Sequence, residues 1–418
     1  MVSAMVPSFR LLSFPTAFRR LTSALAGACG AVALSVAVGA ETVHFAEAPH
    51  DYWKRPIGDR FSKVMEATKD QPGAFDTSGE KPALQSLLKA LDIPVSSQLL
   101  VFSATSLQSA LINPRNPRAI YFNDDTFVGF VPGGRMEIAS FDAEAGMVFY
   151  IFDRLGGASG LPRYARSDRC MNCHAAAGAY RRPGLVMESV AVTWDGSSQE
   201  TYRYDEIGHQ VPYEKRLGGW HVTGDFKRLK TKANIMGRYQ AGTVEISPNE
   251  PGTHCNLDRY LLPTSDVLVH LVHEHQAGFI DRVIDSVYAT REKPGDDTVA
   301  ERLVTELSRY VLFADEPKLP GGPIQGDPRF IKDFQARGAG SPGAPLREFD
   351  LSTRLFRTRC SYMLATPVWQ AVPQLIRQRV QQRLAAAVDP AQPSPLGAHL
   401  SPAEKERIRG FLKRLPAA

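Results

Sequence analysis

The sequence is short of cysteine. Five cysteines in 418 residues cannot staple a disulfide-dense scaffold. It also lacks a strong charge of one sign. The 49 basic and 44 acidic residues give a net charge of +5, which offers little electrostatic drive toward nucleic acid. After residue 40 no apolar run is long enough to span a bilayer, and there is no internal repeat or low-complexity tract. What is present is ordinary globular material. Hydrophobic residues make up 43% and charged residues 22%, which excludes a disordered or collagen-like chain. The length suffices for two or three domains with a sizeable core. Ten histidines can supply a metal site without announcing one.

The N-terminus reads as an export address. Arg10, Arg19 and Arg20 precede an uncharged run from Leu21 to Ala40, and no acidic residue comes before Glu41. The run ends in Val38-Gly39-Ala40, small residues of the kind a signal peptidase accepts. Residues 1–40 are therefore expected to be a cleaved signal peptide. A retained anchor is the weaker reading, because Ser23, Gly27, Gly30 and Ser35 dilute the run, and a lipoprotein at Cys29 is weaker still. Removing three arginines leaves 46 basic and 44 acidic residues, a balance of +2. Setting Cys29 aside leaves Cys170 with Cys173, and then Cys255 and Cys360, an even pair for which a disulfide or two separate buried thiols are the alternatives.

Along the chain, residues 41–80 read as a polar, mobile lead-in with short helices. Pro82 opens a helical stretch with Leu84, Leu87, Leu88 and Leu91 at helix spacing, stopped by Pro94. Ala119–Phe122, Phe127–Val131, Met136–Phe141 and Met147–Phe152 are short β-favouring runs separated by turn residues, which predicts an antiparallel meander. Leu185–Thr193, Thr201–Tyr204 and Trp220–Thr223 add strand-like runs. From Thr264-Ser265-Asp266 the pattern turns helical, with a long helix to about Arg291 and a second over Thr298–Phe313. Residues 314–346 hold six prolines and six glycines and read as a loop. Residues 367–388 read as helix, and Ser401 with Glu404 forms a capping box for a last one. The expected fold class is α+β: an antiparallel β-meander flanking a loop that carries Cys170-Met171-Asn172-Cys173-His174, the attachment pattern for a c-type haem, then a helical C-terminal half. The expected regions are 1–40 signal peptide, 41–262 α+β haem-binding, 263–316 helical, packing on the haem region, 317–346 Pro/Gly-rich loop and 347–418 C-terminal helical.

One motif carries chemistry. Cys170-Met171-Asn172-Cys173-His174 is the attachment pattern for c-type haem. Two intervening residues let both thiols reach vinyl groups on neighbouring pyrroles, and the adjacent histidine falls under the iron as proximal ligand. Haem is attached outside the cytoplasm, a requirement the leader meets independently. The alternatives are a zinc knuckle, which wants a second ligand pair that Cys255 and Cys360 do not form, and a redox dithiol, which wants a strand before the motif and a helix starting at it. Gly156, Gly157, Gly160 and Pro162 stand there instead.

The sixth iron ligand is less marked. No Met-Pro pair exists in the sequence. The long helix offers His270, His273 and His275. On a wheel of about 100° per residue, Leu268, Val272, Phe279, Val283 and Val287 define an apolar face. His275 falls nearest to it, His273 at its boundary and His270 away from it. His275 is thus the distal candidate from the helix, with a hydrogen-bonded core histidine as the competing reading. Met236 and Met187 compete for the role, and His221 reads as a half-buried strand residue. His270 through Glu274 is not a zincin motif, because the histidines are not four apart. Asp124-Asp125 reads as a turn rather than an acid/base pair.

With these residues in view, the chain resembles a group of exported bacterial cytochrome c domain-containing proteins that carry one Cys-x-x-Cys-His motif. The likeness extends over Pro117–Asp124, Gly218-Gly219-Trp220 with Val222-Thr223-Gly224, Arg259-Tyr260-Leu261 through Ser265-Asp266, Glu274-His275-Gln276, Asp350-Leu351, Arg354–Arg357 and Cys360-Ser361-Tyr362. It departs from the group at His221, where another aromatic is expected, and at Ile235, where histidine is. The resemblance implies one covalent haem and electron transfer, with no settled substrate. The expectation is a periplasmic monohaem c-type protein that passes one electron to a redox partner, with no nucleic acid and no membrane span in the mature chain. A peroxidase-like haem oxidoreductase, a haem-based redox or gas sensor, and an exported zinc-stabilised binding protein are the alternatives.

Overall fold

A computed structural model describes residues 42–153, 163–320 and 322–415. The expected signal peptide, Cys29 and the glycines before the haem motif lie outside the described residues.

The meander forms as the sequence pattern predicts. Strands β1 (Leu99–Val101), β2 (Arg118–Phe122), β3 (Thr126–Phe130), β4 (Met136–Asp142), β5 (Gly146–Asp153) and β6 (Arg163–Arg166) pair antiparallel in order. The turns between them have identifiable causes. The Asn123 side chain accepts the backbone N–H groups of Asp125 and Thr126, and Gly133 and Gly146 supply left-handed backbone at φ 85° and 83°. The adjacent acids serve this frame: Asp125 takes a two-pronged bond from Arg60, and Asp124 pairs with Arg347 at 2.6 Å. Two later strands, β7 (Val190–Val192) and β8 (Ser198–Thr201), make a small separate pair, so the run from Leu185 is extended only at its end. Strand β9 (Trp220–His221) joins the free edge of β1 and completes a seven-stranded sheet. A hairpin of β10 (Ile235–Gln240) and β11 (Thr243–Pro248) is not among the strands expected from the sequence. Its turn is Ala241-Gly242, both at positive φ, which matches the right-handed strand twist.

The lead-in is built into the fold. Helix α1 (Arg60–Thr68) starts at Asp59, whose carboxylate caps Phe61 and Ser62, and it buries Phe61 against Tyr150 of the sheet. Helix α2 (Glu80–Ala90) buries the expected leucine face. After the sheet come α3 (Met171–His174), α4 (Val267–Glu292), α5 (Asp297–Val311), α6 (Pro328–Arg337), α7 (Pro367–Gln370), α8 (Gln374–Ala387) and α9 (Pro402–Leu412). Helix α6 lies inside the stretch read as a loop. Asp327 caps it, Pro328 opens it, and Phe330 and Phe334 bury one side. Pro373 separates α7 from α8, and the Ser401–Glu404 capping box is present.

Helix α4 organises the molecule. Every residue from Val267 to Asp281 is buried, so this helix has no solvent face over its first four turns. One hydrophobic cluster takes residues from Phe45 to Phe411 and includes its apolar side chains. No helix among the described residues is long and apolar enough to cross a membrane. Cys255 and Cys360 are both unbonded thiols. Cys255 sits 3.8 Å from His221 Nε2, while Cys360 is fully buried in the core, so the two occupy separate surroundings and no disulfide joins them.

Candidate functional site: a cavity over the Cys170–His174 turn

The motif is a single helical turn rather than a loop. The His174 N–H reaches Cys170 O at 3.0 Å, and the Ala175 N–H reaches Met171 O at 3.1 Å. Two bonds then lock His174 to one residue. Gly184 N–H donates to His174 O at 2.9 Å, and His174 Nδ1 lies 3.0 Å from Gly184 O. The carbonyl can only accept, so Nδ1 carries the proton and Nε2 keeps its lone pair. This is the arrangement that orients a metal-ligating histidine. Burial draws the His174 pKa down to about 4, so the ring is neutral near pH 7.

Gly184 is itself held. The Leu185 N–H donates to Asp281 Oδ1 at 2.7 Å, and Met147 N–H to Pro183 O at 2.8 Å. A side chain on Gly184 would stand 2.8 Å from Asp281 Oδ1. The chain of contacts runs from α4 through Asp281 and residues 183–185 to the imidazole.

Beside the turn is a cavity of about 360 Å³, lined by Cys170, Cys173, His174, Met187, Trp220 and His273 together with one face of the main sheet. That size falls within the roughly 300–1,000 Å³ of cofactor pockets. Register explains the floor. Ile120 opposes Gly129, which opposes Glu137; Phe127 opposes Ala139, which opposes Phe149; Val101 opposes both Arg118 and Trp220. All of these line the cavity, so they form one continuous face from β9 to β5. Small residues stand in its middle. Ile120 and Ala139 keep partial exposure although they lie in the interior of a sheet. Gly129 has no positive φ, and a Cβ there would meet Arg118 and Glu137 only at 3.4 Å, so neither backbone nor packing demands glycine. The floor is a shallow cradle that a side chain would fill.

Nothing matches this chain among family models, curated proteins or solved structures.

The donor set, two thiols and an adjacent imidazole with its Nε2 lone pair free, is chemically compatible with a covalent porphyrin, and the strand Arg163–Arg166 and the helical turn Met171–His174 also supply the flanking elements expected of a redox dithiol. Partial burial raises both motif thiols above their ordinary value, the opposite of an activated redox dithiol at a helix N-terminus. Among the described residues no three His, Cys, Asp or Glu side chains converge as metal ligands.

The other sequence candidates separate clearly. Met187 lines the cavity. Met236 does not; it packs with Phe102, Val190 and Val192. His275 does not either. Its Nδ1 is 2.8 Å from His209 Nδ1, its Nε2 is 2.9 Å from Ser361 Oγ, and its ring stacks on Phe313 at 4.6 Å. The wheel favours it because a wheel assumes one wet and one dry face, and α4 is dry all round. His221 follows Trp220 on β9, so its side chain falls on the opposite face from the cavity. It is fully buried, not half-buried. His270 Nε2 lies 3.0 Å from Ser265 Oγ and 3.2 Å from His221 O. The histidine that does reach the cavity is His273, which the wheel places on a boundary. Sequence reasoning misses the floor residues as a group; the signal is a glycine and an alanine at matched positions of strands otherwise rich in large apolar residues.

Proposed function

We propose that the protein is an exported monohaem c-type electron carrier. The observation that carries this reading is the coincidence of the Cys-x-x-Cys-His turn with a cavity that the same turn walls, on whose floor Gly129 is required by neither backbone nor packing. Bound haem would supply a one-electron iron couple. The protein's own groups do the rest. Cys170 and Cys173 would hold the group covalently as thioethers, and His174 would ligate its iron: Gly184 O holds the Nδ1 proton of His174, which leaves Nε2 free to bind. Arg118, whose Nη1 pairs with Glu137 at 2.9 Å and whose buried Nε is unpartnered, and the exposed Arg169 are the cations lining the cavity, suited to meet carboxylates. Ile120, Phe127 and Phe149 keep water from the floor, which favours a small reorganisation on electron transfer.

The test is direct. The full chain, exported in a host with haem-maturation machinery, is expected to gain the mass of one haem that survives denaturation. The Cys170→Ser/Cys173→Ser variant is expected to lose it. A colourless, unshifted chain overturns the reading. Rapid carbon monoxide or peroxide binding by the loaded protein would turn the carrier into a sensor or an enzyme.

A further inference from the structure

We propose that His273 is the sixth iron ligand, so that the site is closed by two histidines and works as a carrier. The inference rests on the haem reading above and adds the residue that decides its class.

Three observations lead to it. His273 lines the cavity that His174 lines. Its Nδ1 is buried and has no hydrogen-bond partner, a state that structural histidines avoid. His50, His221 and His270 also leave Nδ1 bare, but none of the three lines the cavity. The third observation is position. The His174 ring stands over Phe149, at 4.2 Å between centroids. The His273 ring stands against Phe127 and Phe122, at 5.5 and 5.1 Å. Phe127, Ala139 and Phe149 are successive members of one cross-strand row. The two imidazoles therefore pack against residues two strands apart, about 10 Å, with the small Ala139 standing between those residues in the row.

Met187 is the competitor on the cavity wall. It follows Gly184 by three residues, on the segment that clamps His174. His273 comes from α4, a separate and rigid element.

The experiment uses the haem-loaded full chain, with visible absorption, electron paramagnetic resonance and near-infrared magnetic circular dichroism as readouts. Covalent haem is counted separately on the denatured protein. The wild-type protein is expected to be low-spin with a bis-histidine signature, which needs no variant and so no assumption about folding. His273→Ala should keep its covalent haem, turn high-spin, bind carbon monoxide, and return to low-spin with added imidazole. Met187→Leu and His275→Gln should keep the wild-type spectrum. A histidine–methionine signature, a high-spin wild-type protein, or a low-spin His273→Ala spectrum without added imidazole overturns the proposal while leaving the haem reading standing. Absence of covalent haem overturns the haem reading itself.

Discussion

Helix α4 carries two imidazoles, two residues apart, into opposite surroundings. On the cavity side His273 keeps a buried nitrogen without a partner, above a floor of glycine and alanine. On the far side His275 spends both nitrogens on His209 and Ser361. Next to it, Glu274 takes two bonds from Arg203 at 2.8 and 2.9 Å and one from Gly208 N–H at 2.8 Å. Burial pushes the Glu274 carboxyl up, but Arg203 and Arg216 outweigh it and hold it below the ordinary carboxylate value. Arg203 still leaves Nε and Nη2 buried without a partner, so the two sides differ in what lies beside the polar groups rather than in how completely they are bonded: packed protein around Glu274 and His275, unfilled space beside His273.

The far side should break hardest. Arg203→Met leaves Glu274 buried beside a missing cation, and is expected to cost about 3–5 kcal/mol in chemical denaturation. Replacing both partners, Arg203→Met with Glu274→Leu, should recover most of that. Any folded fraction should keep the wild-type haem spectrum. A loss below about 1 kcal/mol would mean that the pair is not the structural lock described. The cavity side should behave in the reverse way. Gly129→Leu puts a side chain on the cavity face, where its Cβ makes ordinary contacts of 3.4 Å with Arg118 and Glu137, and glycine within a strand costs roughly 0.5–1 kcal/mol. The apoprotein should thus be unchanged or slightly stabilised, while covalent haem content falls sharply. Undiminished haem content would show that the floor is not the seat of the group.

The same contrast explains what could be read without coordinates. The meander was legible because β-favouring runs alternate with turn residues whose mechanisms are local: the Asn123 side chain, Gly133 and Gly146. So were the ends of α4 and α9, set by Asp266 and by Ser401 with Glu404. Helix α6 was obscured because prolines and glycines surround it, although Asp327-Pro328 is a proper start signal. The Cys170–His174 motif was legible as a candidate site. The histidine that shares its cavity was not, since choosing among His270, His273 and His275 depends on which element covers each side of a fully buried helix. The cavity floor was hidden for a similar reason. Gly129, Ala139 and Ile120 become neighbours only through strand register, and no local pattern carries that.

The smallest expected effect tests the link between the two sides. Asp281 projects from α4 and, through Leu185 and Gly184, positions His174. It is a positioning residue, and burial raises its pKa well above the ordinary 3.8. The folded state therefore holds a proton that the unfolded chain releases. The contribution of Asp281 to stability is full below about pH 3.8 and declines as pH rises toward the folded value. An asparagine side chain in its place would keep the oxygen that accepts the Leu185 N–H but cannot titrate. Asp281→Asn should then lower stability by about 1 kcal/mol or less near pH 4, and the gap to the wild-type protein should close or invert toward about pH 8. Unfolding free energies measured at both ends check the sign; a gap that widens with pH would mean that Asp281 is ionised in the fold. In the loaded protein Asp281→Asn should leave the low-spin spectrum intact. Asp281→Ala, which frees Leu185 and loosens the Gly184 clamp, should broaden it, because a carbonyl that wanders cannot hold the imidazole it orients.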